Sequence, residues 1–281
     1  MKKVAIQGIA GSYHDVASQA YFAGEEIEIV PCNNFKEVFA ALHKDPALIA
    51  LVAIENTIAG SLLPNYELLR QSNLTITGEY KLHISHSLAA LKGTKKKDII
   101  EIGSHPIALM QCGDYLNQHF QNVRVVEKND TASSAREIAE KQLVGYAAIC
   151  DADAAKNYGL EVLESEIETN KHNFTRFLVL ADRWYAEPLV DRKKNNKASI
   201  VFAVPHTSGS LCKVLSTLWF YNINMSKIQS LPIIGREWEY LFYVDLTFEN
   251  YIEYTQAIDA IRPLTKECTI LGEYEEAKQR V

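Results

Sequence analysis

Short apolar runs, each followed by a small or polar turn and then a segment of helical period, recur through the first two-thirds of the chain. Val4 to Ile6 leads through Gly8 and Gly11 into a helix near Asp15 to Phe22, and Ile49 to Ile54 leads through Glu55 to Gly60 into one near Leu62 to Leu69. Ile99 to Ile102 precedes Pro106, which suits a first helical turn, and Gly145 to Ile149 precedes Asp151, which suits an N-cap. Strands alternating with helices predict a mostly parallel sheet covered on both faces, with ligands beyond the carboxyl ends of its strands. Thr75 to Leu91 partly alternates and lacks a helix signal, so it predicts extended chain crossing between two lobes. The return crossing falls near Asn173 to Leu180. Two crossings define a hinged pair of lobes, with Asn173, Phe174, Thr175, Arg176 and Phe177 in the cleft. Asp182 to Asn196 is charged and irregular, a linker. Beyond it come strand Ala198 to Val204, helix Leu211 to Tyr221, strand Met225 to Ser230, a turn at Gly235, strand Tyr240 to Phe248, helix Tyr251 to Ile261 and a last strand near Cys268 to Leu271. That order, βαββαβ, is ferredoxin-like.

At 281 residues the chain is long for one core, so two or three units are expected. A net charge of -6 leaves no basic surplus to displace phosphate counterions, which argues against a nucleic-acid binder. The basic clusters Lys95 to Lys97 and Arg192 to Lys194 read as solvated loops. Five cysteines, widely spaced and without a CxxC pair, indicate a reducing cytoplasm rather than a disulfide framework or thiolate zinc site. The first apolar stretch is broken at Gln7 and Gly8, too short for a signal-peptide core, and no segment approaches the ~20 apolar residues of a membrane span.

Thr175 beside Arg176 places a hydroxyl next to a planar fork of donors, an arrangement suited to gripping and protonating a small carboxylate. Such a pair is equally at home on a plain strand surface. Glu55 also suits a turn cap, Ser104 and Thr131 suit helix caps, and Gln111 suits an exposed helix position. His105 beside Pro106 reads as a turn residue. The eight histidines form no HExxH pattern, and His83 and His86 on extended chain face opposite sides, so no metal site is expected. Gly8 and Gly11 are too sparse for a dinucleotide fingerprint.

Seven segments in order carry a resemblance: GIAGSYH (Gly8 to His14), VAIENTIAGS (Val52 to Ser61), SHPIALMQC (Ser104 to Cys112), TASSA (Thr131 to Ala135), AAICDADAAKNYGL, NFTRF, and INMSKIQSLPIIGREWEYLFYVDL (Ile223 to Leu246). Together they resemble monofunctional prephenate dehydratases that end in an ACT regulatory domain. The resemblance implies an α/β fold: a two-lobed, periplasmic-binding-protein-like (type II) catalytic region over 1–184, and a ferredoxin-like ACT domain over 197–281. It implies a carbon-oxygen lyase that converts prephenate to phenylpyruvate, carbon dioxide and water in L-phenylalanine biosynthesis, with no cofactor or metal. By matching positions, Thr175, Glu55, Asn56, Gln111 and Ser104 are expected to be catalytic. Arg176, Phe177, Thr57, Gly60, Ser61, Ser12, Tyr13 and Thr131 are expected to bind substrate. Gly209, Ser210, Leu211, Cys212, Asn224, Gln229 and Ser230 match the family's phenylalanine-binding segments. A cytoplasmic homodimer or homotetramer is implied. Arogenate as substrate, or a non-catalytic sensor on the same scaffold, are the alternatives.

Several positions depart from the family pattern. Ile9 and Ala53 stand where proline is usual, Thr57 where serine is, and Glu168 where aspartate is. Gln229 and Leu231 replace a glutamate and an arginine, removing two charges from the effector segment. Weakened or altered feedback by phenylalanine is therefore expected.

Overall fold

The computed structural model describes residues 1–277. In chain order the elements are β1 (Lys2–Gln7), α1 (Tyr13–Tyr21), β2 (Ile27–Cys32), α2 (Phe35–Lys44), β3 (Ile49–Asn56), β4 (Gly60–Ser61), α3 (Leu63–Gln71) and β5 (Leu74–His83). Then follow β6 (Ser87–Ala90), β7 (Glu101–Ser104), α4 (Pro106–Gln111), α5 (Gly113–His119), β8 (Arg124–Glu127), α6 (Thr131–Lys141), β9 (Tyr146–Cys150), α7 (Ala152–Asn157), β10 (Glu161–Glu164) and β11 (Phe174–Asp182). The last group is β12 (Lys197–Ala203), α8 (Ser210–Phe220), β13 (Asn224–Pro232), β14 (Tyr240–Thr247), α9 (Tyr251–Ile261) and β15 (Glu267–Tyr274). Two compact units emerge: Met1–Leu62 with Tyr80–Phe177, and Leu63–Glu79 with Leu178 onward.

The first unit is built in two lobes. In one, β1 lies between β2 and β3, parallel to both, and β11 flanks β3. The other is a five-stranded sheet of order β10-β6-β9-β7-β8. Its central strands alternate cleanly: Leu88, Ala90, Ala147 and Ile149 pack toward α4 and α5, while Ala89, Ala148 and Cys150 pack toward α6 and α7. A period of two with both faces apolar buries the sheet on both sides. The crossings run side by side, with Ile84 N–H donating to Asn173 O at 2.7 Å. This is the type II periplasmic-binding-protein-like arrangement, and the extended crossings match the sequence reading. The helix at Asp15 begins two residues earlier than expected because Ser12 caps it, accepting from Asp15 N–H.

In the second unit β12, α8, β13, β14, α9 and β15 follow the expected βαββαβ order, with an antiparallel sheet β13-β14-β12-β15. Its core gathers Ile200, Phe202, Leu218, Val244, Leu246, Tyr254 and Ile258. β5 adds to the sheet beside β15 through Gly272 opposite Ile76, where a Cβ would lie 2.3 Å from Ile76 O. Only glycine permits that approach. On this unit Gly209 to Cys212 start α8 at the end of the sheet that also holds Gln229 and Ser230. Asn224 does not join them. It pairs with Thr247 six residues back along β13, about 20 Å away at ~3.3 Å per residue.

Candidate active site

Four helix starts and two strand ends of the first unit surround a cavity of about 280 Å³, lined by Ser12 and Tyr13 (α1), Asn34 and Phe35 (α2), His105 and Gln111 (α4), Asp130 and Thr131 (α6), Asn56 (β3), and Thr175 and Phe177 (β11). Each longer helix start brings free N–H groups and positive potential, a favourable setting for carboxylates. No Lys or Arg among the described residues lines it.

A buried carboxamide network fixes its floor. Asn56 Nδ2 donates to Thr175 Oγ1 at 3.0 Å and to Asn173 Oδ1 at 2.8 Å, while Asn56 Oδ1 accepts from Ile58 and Ala59 N–H at 2.9 and 2.8 Å. Gln111 Nε2 donates to Asn56 Oδ1 at 3.2 Å, and Gln111 Oε1 accepts from Asn173 Nδ2 at 3.0 Å. His86 Nε2, 2.8 Å from Gln111 Oε1, must be the protonated nitrogen, because a carbonyl oxygen only accepts. Its Nδ1 then faces the Tyr13 hydroxyl at 2.9 Å, and its backbone N–H donates to buried Glu168 at 2.8 Å. The chemical consequence falls on Thr175. Its oxygen accepts from Asn56, so its own proton is free to be donated into the cavity.

Burial holds the pKa of His86 and that of His105 below the ordinary histidine value, and pushes the Tyr13 hydroxyl well up. His14, whose Nε2 accepts from Ala53 N–H at 3.4 Å between the rings of Phe35 and Phe177, is lowered by burial and then by nearby His105 to about 3. The folded state thus binds fewer protons than the unfolded chain between about 3 and the ordinary 6.5. Its contribution to stability is full above that window and lost as pH falls through it. Thermal melts of wild type between pH 7 and 4 should therefore drop more steeply than those of His14→Gln; parallel curves would remove His14 from the account.

Seven expected site residues meet at the cavity: Thr175, Asn56, Gln111, Phe177, Ser12, Tyr13 and Thr131. The others do not line it. Arg176 sits between Thr175 and Phe177 on a pleated strand, so it projects to the opposite face, where Nη1 lies 3.5 Å from Glu55 Oε2. Ser104 is buried and donates to Ile149 O at 2.6 Å. Thr57 pins its turn to β11, donating to His172 O and accepting from Phe174 N–H, both at 2.9 Å. Gly60, at φ +81°, and Ser61 form the short hairpin strand beside β3. Gln111 is buried rather than on an exposed helix face, and Asp130, not Thr131, caps α6. His105 caps α4 rather than serving only a turn. Sequence reasoning missed His14, His86 and Asp130 as site components, and placed Asn173 in the cleft without giving it a role. Asn173 stood inside a quoted motif, and His86 had been set aside with His83.

Among the described residues no group of three or more His, Cys, Asp or Glu is placed to hold a metal ion, and no helix is long and apolar enough to cross a membrane. A two-lobed α/β unit with a helix-ringed cavity defines the class of scaffold that holds a small molecule. The chain belongs to the prephenate dehydratase family, whose sequence pattern matches residues 4–184, and is thus an enzyme of the carbon-oxygen lyase class. It is 36% identical to an arogenate dehydratase/prephenate dehydratase of Arabidopsis thaliana, over 97% of this chain and 68% of that protein. A solved prephenate dehydratase of Arthrobacter aurescens in complex with L-Phe superposes with a TM-score of 0.87 at 25% identity, covering 99% of this chain and 91% of that one. GqqA, described as a novel type of quorum quenching acylase, superposes at 0.86 with 27% identity, covering 99% of each chain.

Proposed function

We propose that the cavity converts prephenate to phenylpyruvate, with Thr175 as the hydrogen-bond donor to the departing ring hydroxyl. The ring carboxylate leaves as carbon dioxide, its bonding electrons enter the ring, and the C–O bond breaks to release water; aromatisation drives the step. The observation that carries this reading is the Asn56 bond to Thr175 Oγ1, which leaves the hydroxyl proton for substrate. Asn56, Gln111, Asn173 and His86 position that donor. A threonine hydroxyl is a weak acid, so it works as a hydrogen-bond donor to the departing oxygen, and the proton that completes the water comes from solvent. Acyl transfer is less well supported, because among the described residues no base accepts from Thr175. The reading is tested by product analysis of purified protein given prephenate: equal amounts of phenylpyruvate and carbon dioxide are expected, and an intact substrate pool contradicts it.

Residues 1–184 serve as the catalytic region and 197–281 as an ACT domain that assembles the chain into a homodimer or homotetramer in the cytoplasm. Phenylalanine is the effector on this reading, and its grip is weakened because Gln229 and Leu231 carry no charge. Gln229 Nε2 is turned onto Ser230 O at 3.0 Å. Titrating phenylalanine into the assay, with light scattering on the same samples, should give weak inhibition of an oligomer. Sub-millimolar inhibition, or a monomer, contradicts this.

A further inference from the structure

Asp130 is the one carboxylate among the residues lining the cavity, which no Lys or Arg of the described chain joins. Its Oδ1 accepts from Ser133 N–H at 2.8 Å as the cap of α6. The hydroxyls of Ser133 and Ser134 turn to its backbone carbonyl instead, at 3.0 and 3.2 Å, and no described donor reaches Oδ2. The carboxylate is thus held by one oxygen and open at the other. The lining histidines, held neutral by burial, add no positive charge to offset it.

Prephenate and arogenate share both carboxylates and differ where one has a keto oxygen and the other an ammonium. A keto oxygen cannot donate to a carboxylate, and prephenate adds two negative charges to a cavity that already holds one. An ammonium supplies donors and cancels a charge, and a charge-assisted hydrogen bond is about twice as strong as a neutral one. We propose that Asp130 is a specificity-determining residue whose Oδ2 receives the ammonium of arogenate, tilting the cavity toward the amino over the keto substrate. This rests on the dehydratase reading.

The test is Asp130→Asn, since asparagine caps a helix as well as aspartate and the change isolates the charge. The ratio of kcat/KM for arogenate to that for prephenate should fall by about tenfold or more relative to wild type. A ratio that stays within about twofold overturns the assignment. Binding of both compounds to Thr175→Ala protein, with and without Asp130→Asn, reads the same preference without turnover. If folded wild type turns over neither compound, the dehydratase reading fails. The assignment of Asp130 then falls with it, whereas turnover with an unchanged ratio overturns the assignment alone.

Discussion

Thr175→Ala should lower kcat by about 10²- to 10⁴-fold while leaving the affinity for prephenate nearly unchanged, because positioned proton donation typically contributes that much. At 1.36 kcal/mol per decade the loss is about 3 to 5 kcal/mol of barrier. A methyl group replaces a donor that acts only as the ring hydroxyl departs, so the loss belongs in kcat rather than KM. Asn56 would keep its bonds to Asn173 and to the Phe174 carbonyl, so the network survives the substitution. Thr175→Ser restores the hydroxyl and should recover much of the rate. Equal loss in the serine and alanine variants would point to packing rather than donation.

Lys197→Met should destabilise the second unit by about 3–5 kcal/mol, the usual result of stripping one partner from a buried ion pair. Lys197 Nζ lies 2.9 and 3.1 Å from the two oxygens of Glu79, with side chains only 3% and 0% exposed. It also reaches Glu276 at 3.3 Å. Removing the cation leaves Glu79 charged in a dry site, held by the Ala277 N–H at 3.0 Å and its other contacts. Replacing both members, Lys197→Met with Glu79→Leu, should recover part of the loss, since apolar pairs often substitute well for buried ions. Urea unfolding of the three proteins decides this. A single variant within about 1 kcal/mol of wild type would show the pair to be dispensable.

The legible parts of the molecule were those set by local pattern. The βαββαβ order of the second unit came from alternating and helical periods within it, and Asp151 was recognisable as the cap of α7. The crossings were readable because Thr75 to Leu91 has no helical period. Thr175, Asn56 and Gln111 could be named through the family motifs that contain them. What could not be read was how distant side chains meet. Asn56 and Asn173 lie 117 residues apart and touch only after the two crossings pair. His86 enters the site through Gln111 and Tyr13, on other elements, so no spacing signals it. Arg176 illustrates the opposite case. It sits in the right motif, yet the pleat of β11 turns it to Glu55 on the far face.

Asp130 shows why a cap and a site can be one residue. Its sequence signal, an Asp before Thr131 and a helical run, is that of an ordinary N-cap, and it does cap α6. Only the cavity lining adds the second role.

Steady-state turnover of prephenate by purified wild type beside Thr175→Ala, with binding measured on the same preparations, tests the role of Thr175 most directly. Rapid phenylpyruvate formation by wild type is expected, with a variant that binds prephenate but scarcely turns it over. A folded wild type that leaves prephenate unchanged, or a Thr175→Ala protein as fast as wild type, would contradict that role.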